Sequence, residues 1–578
     1  MATVTTWADA RLSPHQPPRP APQAGRQAND EYRGLRYSMD RVLKELENLR
    51  QFAKEAAKEA ARDAARETGR ESPRDLSRES SRNSQKNSQD HDNDECVHDL
   101  RVSIRRCRSV AAVMEEVDPH PAWPEMRQAA RKLFRGLGGL RDAQVMENWV
   151  AKLAPADDPI AAQLLAGFAA RESQLLQDAL RAARKFNEKD WQCLERVLRQ
   201  RSRLVPPGSL AAECLVLERF EAAKEFHARA LRTETSKPWH TLRIYMKRFR
   251  YTVENFLPEH LVQWQENLKR VQDLLGDVHD LDVLSETAKS ATPKNSSIEE
   301  FEASRRVWRE RLARERSERI TTYRQLMLGS TSLWNTWRRA LPHGEALQAA
   351  ALARLRATAR ASDARQHRTM RTARIAKSLF RVLSRALRRG KADAVFADPR
   401  AHQLLFVAAI LQNVRNGHAR KSPQPKSSQK AAFKFLRRLP IPPGFTSGEW
   451  AIVLAAVRYH RGAEPQEKNS VFSKLSAEQQ NTVRALAGVL RLARAVRKSG
   501  VNTSSHFRAE RTPEAIVLRI PGLIDSVESA ARLAAAKHLL EVYLAQPIIL
   551  RPIPVSNSTQ IPISLAPAEA SHLAAASD

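Results

Sequence analysis

Residues 98–109 read HDLRVSIRRCRS, and residues 240–251 read HTLRIYMKRFRY. His98, Leu100, Arg101, Arg105, Arg106 and Arg108 recur as His240, Leu242, Arg243, Lys247, Arg248 and Arg250, at a constant offset of 142 residues. A second pair follows, LGGLRDAQV at 137–145 and LGDVHDLDV at 275–283, at an offset of 138. At that same offset Arg131–Lys132 matches Lys269–Arg270. Two landmarks at nearly one spacing define a duplicated unit, with halves at about 96–205 and 206–345.

On a helix each residue advances by about 100°. His98, Arg101, Arg105 and Arg108 then share one stripe, while Leu100, Ile104, Cys107, Ala111 and Met114 take the opposite face. The second copy repeats this: His240, Arg243, Lys247 and Arg250 form the stripe, with Tyr251 beside His240. Leu242, Met246, Phe249, Val253 and Phe256 form its apolar face. Arg106 and Arg248 fall off the stripe, near its far edge. Each helix thus has a side that packs and a cationic side that must face something else. Surface helices usually mix signs, and these stripes hold no acid, so the like charges repel unless a counter-charge is supplied. Guanidinium forks suit phosphate, and an imidazole beside an anion becomes cationic near neutral pH. Gly138 and Gly276 are expected to permit close packing or a turn. Asp142 and Asp280 are expected to orient the arginines rather than to bind metal.

The rest of the chain fits this emphasis. Its 96 Lys and Arg against 65 Asp and Glu leave a net charge of +31, which favours polyanionic partners. The four cysteines, Cys96, Cys107, Cys193 and Cys214, have no CxxC spacing and read as reduced thiols. No apolar run approaches the roughly 18 residues of a membrane span, and the first residues lack the apolar core of a signal peptide. A soluble, cytoplasmic protein without a membrane partner is the expectation.

The expected fold is mainly α. Residues 1–30 read as a disordered tail, and residues 31–95 as a helix followed by a Ser- and Arg-rich flexible insert at 71–94. Helical periodicity fills 96–345, a linker is expected at 346–364, and a second helical domain at 365–500. A small α+β subdomain closes the chain at 501–555: AIVLRI at 515–520 reads as a strand, 525–544 as a helix and PIILRPI at 547–553 as a strand. Residues 556–578 read as a loose end.

The paired HxxRVxxRRxR-type helices and LGxxxD-type segments resemble the CHAD domain, the conserved-histidine α-helical domain, over about 96–345. The resemblance implies two four-helix bundles related by a pseudo-two-fold, with the basic helices lining a shared groove. It also implies binding of inorganic polyphosphate and association with polyphosphate granules. The residues it assigns to the ligand are His98, Arg101, Arg105, Arg106, Arg108, Arg131, Lys132, His240, Arg243, Lys247, Arg248, Arg250, Tyr251, Lys269 and Arg270. Lys247 departs from the arginine of the pattern but keeps the charge.

The later block resembles the C-terminal HD-like module of exopolyphosphatases and guanosine pentaphosphatases. The likeness rests on ARIAKSLFRVL (373–383), LLFVAAILQN (404–413), LPIPPGFTSGEWAIVLAAVRYHRG (439–462) and VRALAGVLRLARAVRKS (483–499). The strand–helix–strand at 515–553 is similar to that family's terminal subdomain. A working HD centre needs histidines and a His-Asp pair to hold a divalent metal. Here Arg371, Gln412 and Asn413 fall at those positions, and neither amides nor guanidinium replace such ligands. Arg458, His460 and Arg461 form a possible secondary anion site. No P-loop, GxSxG or Cys/His metal quartet occurs. The expectation is a non-catalytic polyphosphate binder needing no cofactor or metal, with granule proteins as candidate partners. Nucleic-acid binding is the first alternative, although aromatic content is only 6% and stacking platforms need exposed rings. A phosphohydrolase acting on polyphosphate or guanosine pentaphosphate is the second, and a scaffold using the 31–70 helix the third.

Overall fold

The computed structural model describes residues 34–68, 76–154, 158–233, 235–290, 298–363, 365–388, 393–414, 428–467, 469, 471–501, 506–524 and 526–553. The tail at 1–30, the start of the insert at 71–75 and the end at 556–578 lie outside them. The structure is 78% helix with one small sheet near its end, so the chain is mainly α as its periodicity predicts. Two compact units are present, one running to Val113 and resuming over Ala122–Leu341, the other formed by Met114–Pro121 and the chain from Pro342 onward.

The first unit opens with helices α1 (Leu35–Thr68) and α2 (Leu76–Val117), the latter crossing into the second unit at Met114. α2 corrects one expectation: the stretch from Leu76 to Asp94 is helical rather than a flexible insert. Its serines and asparagines are weak helix formers, but extending an existing helix costs far less than nucleating one. α3 (Ala122–Gly136), α4 (Gly138–Leu153), α5 (Pro159–Arg184) and α6 (Glu188–Ser202) complete the first half. The second half comprises α7 (Leu210–Ala230), α8 (Ser236–Phe256), α9 (Pro258–Lys289), α10 (Ile298–Met327) and α11 (Leu333–Ala340). The motif helices α2 and α8 correspond, and the single helix α9 corresponds to the broken pair α3–α4. At the break the backbone runs close to α5. A Cβ on Gly136 would stand 2.1 Å from the Cβ of Ala182 on α5, so only glycine lets these backbones approach so closely.

The halves share a core. Met146, Trp149, Val150 and Leu153 of α4 pack with Leu281 and Leu284 of α9 and with Phe301, Trp308 and Leu312 of α10. Buried Asp158 caps α5 through the Ala161 N–H at 2.7 Å. Its carboxylate also accepts from the Ser304 hydroxyl at 2.5 Å and from the Trp308 indole at 2.8 Å. One buried carboxylate therefore ties the two copies together, and three donors offset its desolvation.

In the second unit the expected linker is a helix, α12 (Gly344–Ser362), which buries Ala350, Ala351, Leu355 and Ala357. Its alanine-, leucine- and arginine-rich sequence is strongly helix-forming, which explains the difference. α13 (Gln366–Leu387), α14 (Ala394–Ala397), α15 (Pro399–Leu411), α16 (Ser428–Leu436), α17 (Ser447–Tyr459) and α18 (Ala477–Lys498) follow. α17 and α18 both start on capping boxes, Thr446 with Glu449 and Ser476 with Gln479. The sheet runs β1 (Arg508–Arg511), β2 (Ile516–Pro521), β3 (Ile548–Ile553), with α19 (Val527–Leu544) between β2 and β3. β2 pairs antiparallel with β1 and parallel with β3, with Ile516 opposite Ile548. The blocks at 365–500 and 501–555, expected as separate domains, share one continuous core from Leu355 to Ile548. Within it Gly488 lets α18 approach the Leu540 backbone of α19.

Candidate functional site: a cationic groove between the two copies

The apolar faces read from the sequence decide where the stripes point. Leu100, Ile104, Cys107 and Ala111 of α2 are buried, as are Leu242, Met246, Phe249 and Val253 of α8. With those faces fixed in the core, the basic stripes are held at its edge. They meet there: Arg105 donates from Nη1 to the Tyr251 hydroxyl at 3.2 Å, bridging the copies.

The first copy gathers its charge over one ring. The guanidiniums of Arg101, Arg105 and Arg108 stand 4.4, 5.6 and 4.9 Å from the centroid of Phe134 on α3. Spacing of three and four residues brings all three to one face, and the ring's π cloud partly compensates their repulsion. Arg101 is buried and reaches Asp142 at 3.7 Å. Burial is the main cause of its low pKa, about 10, and nearby Arg105, Arg141 and Arg108 add to it while Asp142 opposes. Arg108 is shifted down as well, by burial and then by Arg131, Arg105, Arg127 and Arg135.

The second copy is built differently. Lys247 is pushed down to about 7, first by burial, then by Arg243, Arg105 and Arg101, with Asp280 opposing. Arg243 is lowered by burial and by Arg105, and is supported by Asp280 and Asp142. Asp280 itself is pushed up to about 6 by burial, against the pull of Arg243 and Lys247. Charges from both copies act on one another here, so the two stripes form one groove. His240 Nδ1 lies 3.1 Å from His279 Nδ1. Burial and then Arg243 hold His279 down at about 4, so both rings are largely neutral at neutral pH and one supplies the proton of their hydrogen bond. His98 keeps much of its surface in solvent, and the desolvation of its inner side, followed by the charge of Arg141, lowers its pKa.

Not every expected residue faces the groove. Arg106 pairs with Glu254 at 2.5 Å and ties α2 to α8. Arg248 lies 4.9 Å above Tyr245, which stacks on Phe226 at 4.0 Å. Both side chains are engaged elsewhere because their helical phase puts them beyond the stripe. Tyr251 is buried and braces Arg105. Arg250 is half-buried on the stripe, whereas Arg131, Lys132, Lys269 and Arg270 are exposed on α3 and α9.

The glycine expectation also changes. A Cβ on Gly276 would meet nothing within 4 Å, so close packing is not its reason. Gly276 lies four residues before Asp280, on the face that carries His279 and Asp280, and a side chain there would stand over the groove. Gly138 is placed likewise before Asp142, with Arg101 Nη1 at 3.5 Å from its virtual Cβ. Sequence reasoning passed over Phe134, Arg141 and His279. Arg141 and His279 are signalled by the repeat itself, since they are equivalent at the 138-residue offset.

In the second unit His460 is fully buried and its Nδ1 donates to the Val457 carbonyl at 2.7 Å. Burial lowers its pKa to about 3, so it stays neutral and turned inward, and it leaves the secondary anion site proposed from sequence. Arg458 lies over Tyr459 at 5.3 Å. Gln412 is buried on the Ala409 carbonyl, and Asn413 donates to Thr369 at 2.7 Å. Among the described residues no His/Cys/Asp/Glu group is arranged to hold a metal ion, and no helix is long and apolar enough to cross a membrane.

Fold and site together define a duplicated helical unit whose two basic helices converge on a single desolvated cationic groove. The family model of the CHAD domain matches residues 79–289, a span that includes both motif helices and α9. No curated protein matches the chain.

Proposed function

We propose that the CHAD domain binds inorganic polyphosphate, without chemistry, along the groove between α2 and α8. The observation that carries this reading is the cost already present in the unliganded groove. Burial first, and then the neighbouring guanidiniums, hold Lys247 near 7 and Arg101 near 10. A linear polyanion relieves that cost at every position, and the guanidinium forks give it paired charge-assisted bonds. The CHAD family's link to polyphosphate supports the same ligand class. Association with polyphosphate granules is part of the proposal, and the second unit then serves as an accessory module similar to the HD-like part of exopolyphosphatases.

The test is titration of the full chain with long-chain polyphosphate across a salt series. Replacing Arg101, Arg105, Arg243 and Lys247 by Ala should weaken binding and flatten the dependence of log K on log salt by about 0.7–0.9 for each lost phosphate contact. An unchanged slope would show the groove to be misassigned. Tighter binding of RNA or DNA than of polyphosphate at physiological salt would favour the nucleic-acid reading. Turnover of polyphosphate or guanosine pentaphosphate with Mg²⁺ or Mn²⁺ would overturn the non-catalytic one.

A further inference from the structure

Between Glu345 and Asp393 the sequence holds thirteen Lys and Arg and a single acid, Asp363. That carboxylate is already committed to the fold: it accepts from the Arg365 backbone N–H at 2.8 Å and from the Thr369 hydroxyl. The acids that follow are committed too. Asp393 and Asp398 cap α14 and α15, and Glu449 holds Arg400 through two bonds. The surface built by α12 and α13 is therefore supplied with cations and not with their counter-charge.

Helical phase sets those cations in line. α13 buries Ile375, Leu379, Val382 and Leu383 in the core of the second unit. From Arg374 to Arg388 the chain exposes five residues, and all five are basic: Arg374, Lys377, Arg381, Arg385 and Arg388. They stand three or four residues apart, so they lie within about 80° of one another and form a straight row about 21 Å long. α12 adds a shorter row. Phe406 of α15 is half-buried, with the Arg356 guanidinium of α12 at 5.3 Å and the Lys377 ammonium at 5.9 Å from its ring centroid. Arg360 is exposed one turn beyond Arg356. One ring thus joins the two rows, and among the described residues neither row has an acidic partner. Like charges at this spacing repel, so the arrangement calls for an anion from outside the fold.

We infer that this surface docks the phosphate backbone of double-stranded nucleic acid, independently of base sequence. Six of its seven cations are arginines, whose planar forks fit phosphate oxygens. Every exposed position from Arg374 to Arg388 is charged, so the row offers no apolar side chain to enter a bilayer. Its one ring, Phe406, lies beneath two cations, so it is no platform on which the bases of a single strand stack. A duplex holds its phosphates already spaced, about 3.4 Å apart along each strand. The cations of the row rise by about 4.5–6 Å from one to the next, so each has a phosphate within reach of its side chain. A flexible chain would lose conformational freedom to follow the same straight row. The surface contains none of the groove residues and does not depend on the polyphosphate reading.

The experiment follows the anisotropy of a short fluorescent duplex DNA of mixed sequence, titrated across a salt series with the full chain carrying Arg101→Gln and Lys247→Met, which disable the groove. Binding is expected, with equal affinity for a second duplex of unrelated sequence. Adding Arg374→Gln, Arg381→Gln and Arg385→Gln should weaken it roughly tenfold or more and flatten the dependence of log K on log salt by about 0.9 for each lost phosphate contact. Arg374→Lys, Arg381→Lys and Arg385→Lys keep the charges and should keep the slope, which a folding defect would not allow. If the triple Gln protein fails to fold, Arg381→Gln alone carries the test, with a slope change of about 0.9. The inference is overturned if the groove-disabled protein does not bind the duplex, or if the Gln substitutions leave affinity and slope unchanged. It is overturned equally if, at equal charge, single-stranded DNA, long-chain polyphosphate, polyglutamate or phosphatidylserine vesicles displace the labelled duplex as well as unlabelled duplex does, which gives the surface to that competitor. If the groove substitutions themselves leave polyphosphate binding unchanged, the groove reading fails separately.

Discussion

Lys247→Met is the substitution that most sharply separates a groove built for an anion from an ordinary basic surface. Lys247 is lowered from 10.5 to about 7, and its neighbours are Arg243 on its own helix, Arg105 and Arg101 on α2, and Asp280 on α9. At about 1.4 kcal/mol per pH unit, holding the ammonium there costs at most about 5 kcal/mol. Water reaching this half-buried group and relaxation around it bring a working figure nearer 2 kcal/mol. Between pH 7 and 10.5 the unfolded lysine keeps its proton while the folded one has lost it, so the free protein gains stability as pH rises through this window. Below pH 7 both states are protonated and the full penalty is present. A bound polyanion raises the lysine pKa again, so binding takes up a proton and weakens as pH rises above 7, by at most about tenfold per unit. Methionine keeps the length of the stem without the charge. The variant should melt about 4–8 °C higher than the parent at pH 6.5 without ligand, and lose most of the pH dependence of polyphosphate binding between pH 7 and 9. Asp280, near 6, and Arg101, near 10, titrate outside that interval. A variant that melts lower than the parent at pH 6.5, or parental binding that is flat from pH 7 to 9, would refute the reasoning.

Three further outcomes follow from the geometry. Phe134→Leu removes the ring under Arg101, Arg105 and Arg108; at about 0.5–1 kcal/mol per contact, polyphosphate affinity measured by calorimetry should fall about tenfold to about 150-fold, with circular dichroism unchanged. Arg106→Gln leaves Glu254 without its partner and should lower stability by about 1–2 kcal/mol in a urea melt, while the salt slope of binding stays at the parental value; Arg105→Gln should do the reverse. Gly276→Ala should stabilise the protein by about 0.8 kcal/mol, because a helical glycine with open space loses only its conformational freedom, whereas Gly276→Leu should keep the fold and obstruct the groove, seen as weaker binding.

The readable parts of the molecule are those where local periodicity and tertiary burial agree. Leu100, Ile104 and Cys107, and Leu242, Met246 and Phe249, were assignable to a core face because a helix has one phase, and the cationic stripes followed from that phase. The β2–α19–β3 segment was equally legible from its alternation. β1 was not: RAER has no apolar alternation and becomes a strand only by pairing with β2. α12 escaped because its alanines read equally well as a solvated spacer, and only packing distinguishes them. Within the site, stripe membership was visible but engagement was not. Arg106 and Arg248 belong to the same motif as Arg105 and Lys247, yet Glu254 and Tyr245 hold them elsewhere, a matter decided by partners far along the chain or off the motif's face. Phe134 was invisible for the same reason, since its role exists only once α3 lies beside α2.

The duplication also shows where the copies have parted, and the differences share one direction. Where the first copy has Arg105, the second has Lys247; where the first has Arg141, the second has His279; Phe134 is matched by Gln272. In each exchange the first copy keeps a permanently charged guanidinium or the ring that supports three of them. The second copy holds groups whose charge depends on pH, with Lys247 near 7, His279 near 4 and Asp280 near 6. Guanidinium cannot lose its proton in the physiological range, whereas a desolvated ammonium can. A groove with one fixed wall and one titrating wall keeps a basal affinity from the first copy and draws its pH response from the second. That division predicts an asymmetry no symmetric duplicate would show: Arg105→Lys should add a second pH-dependent step to polyphosphate binding, and Lys247→Arg should remove the one already present. If the two exchanges instead alter the pH profile equally, the walls are equivalent and the duplication has not divided the work.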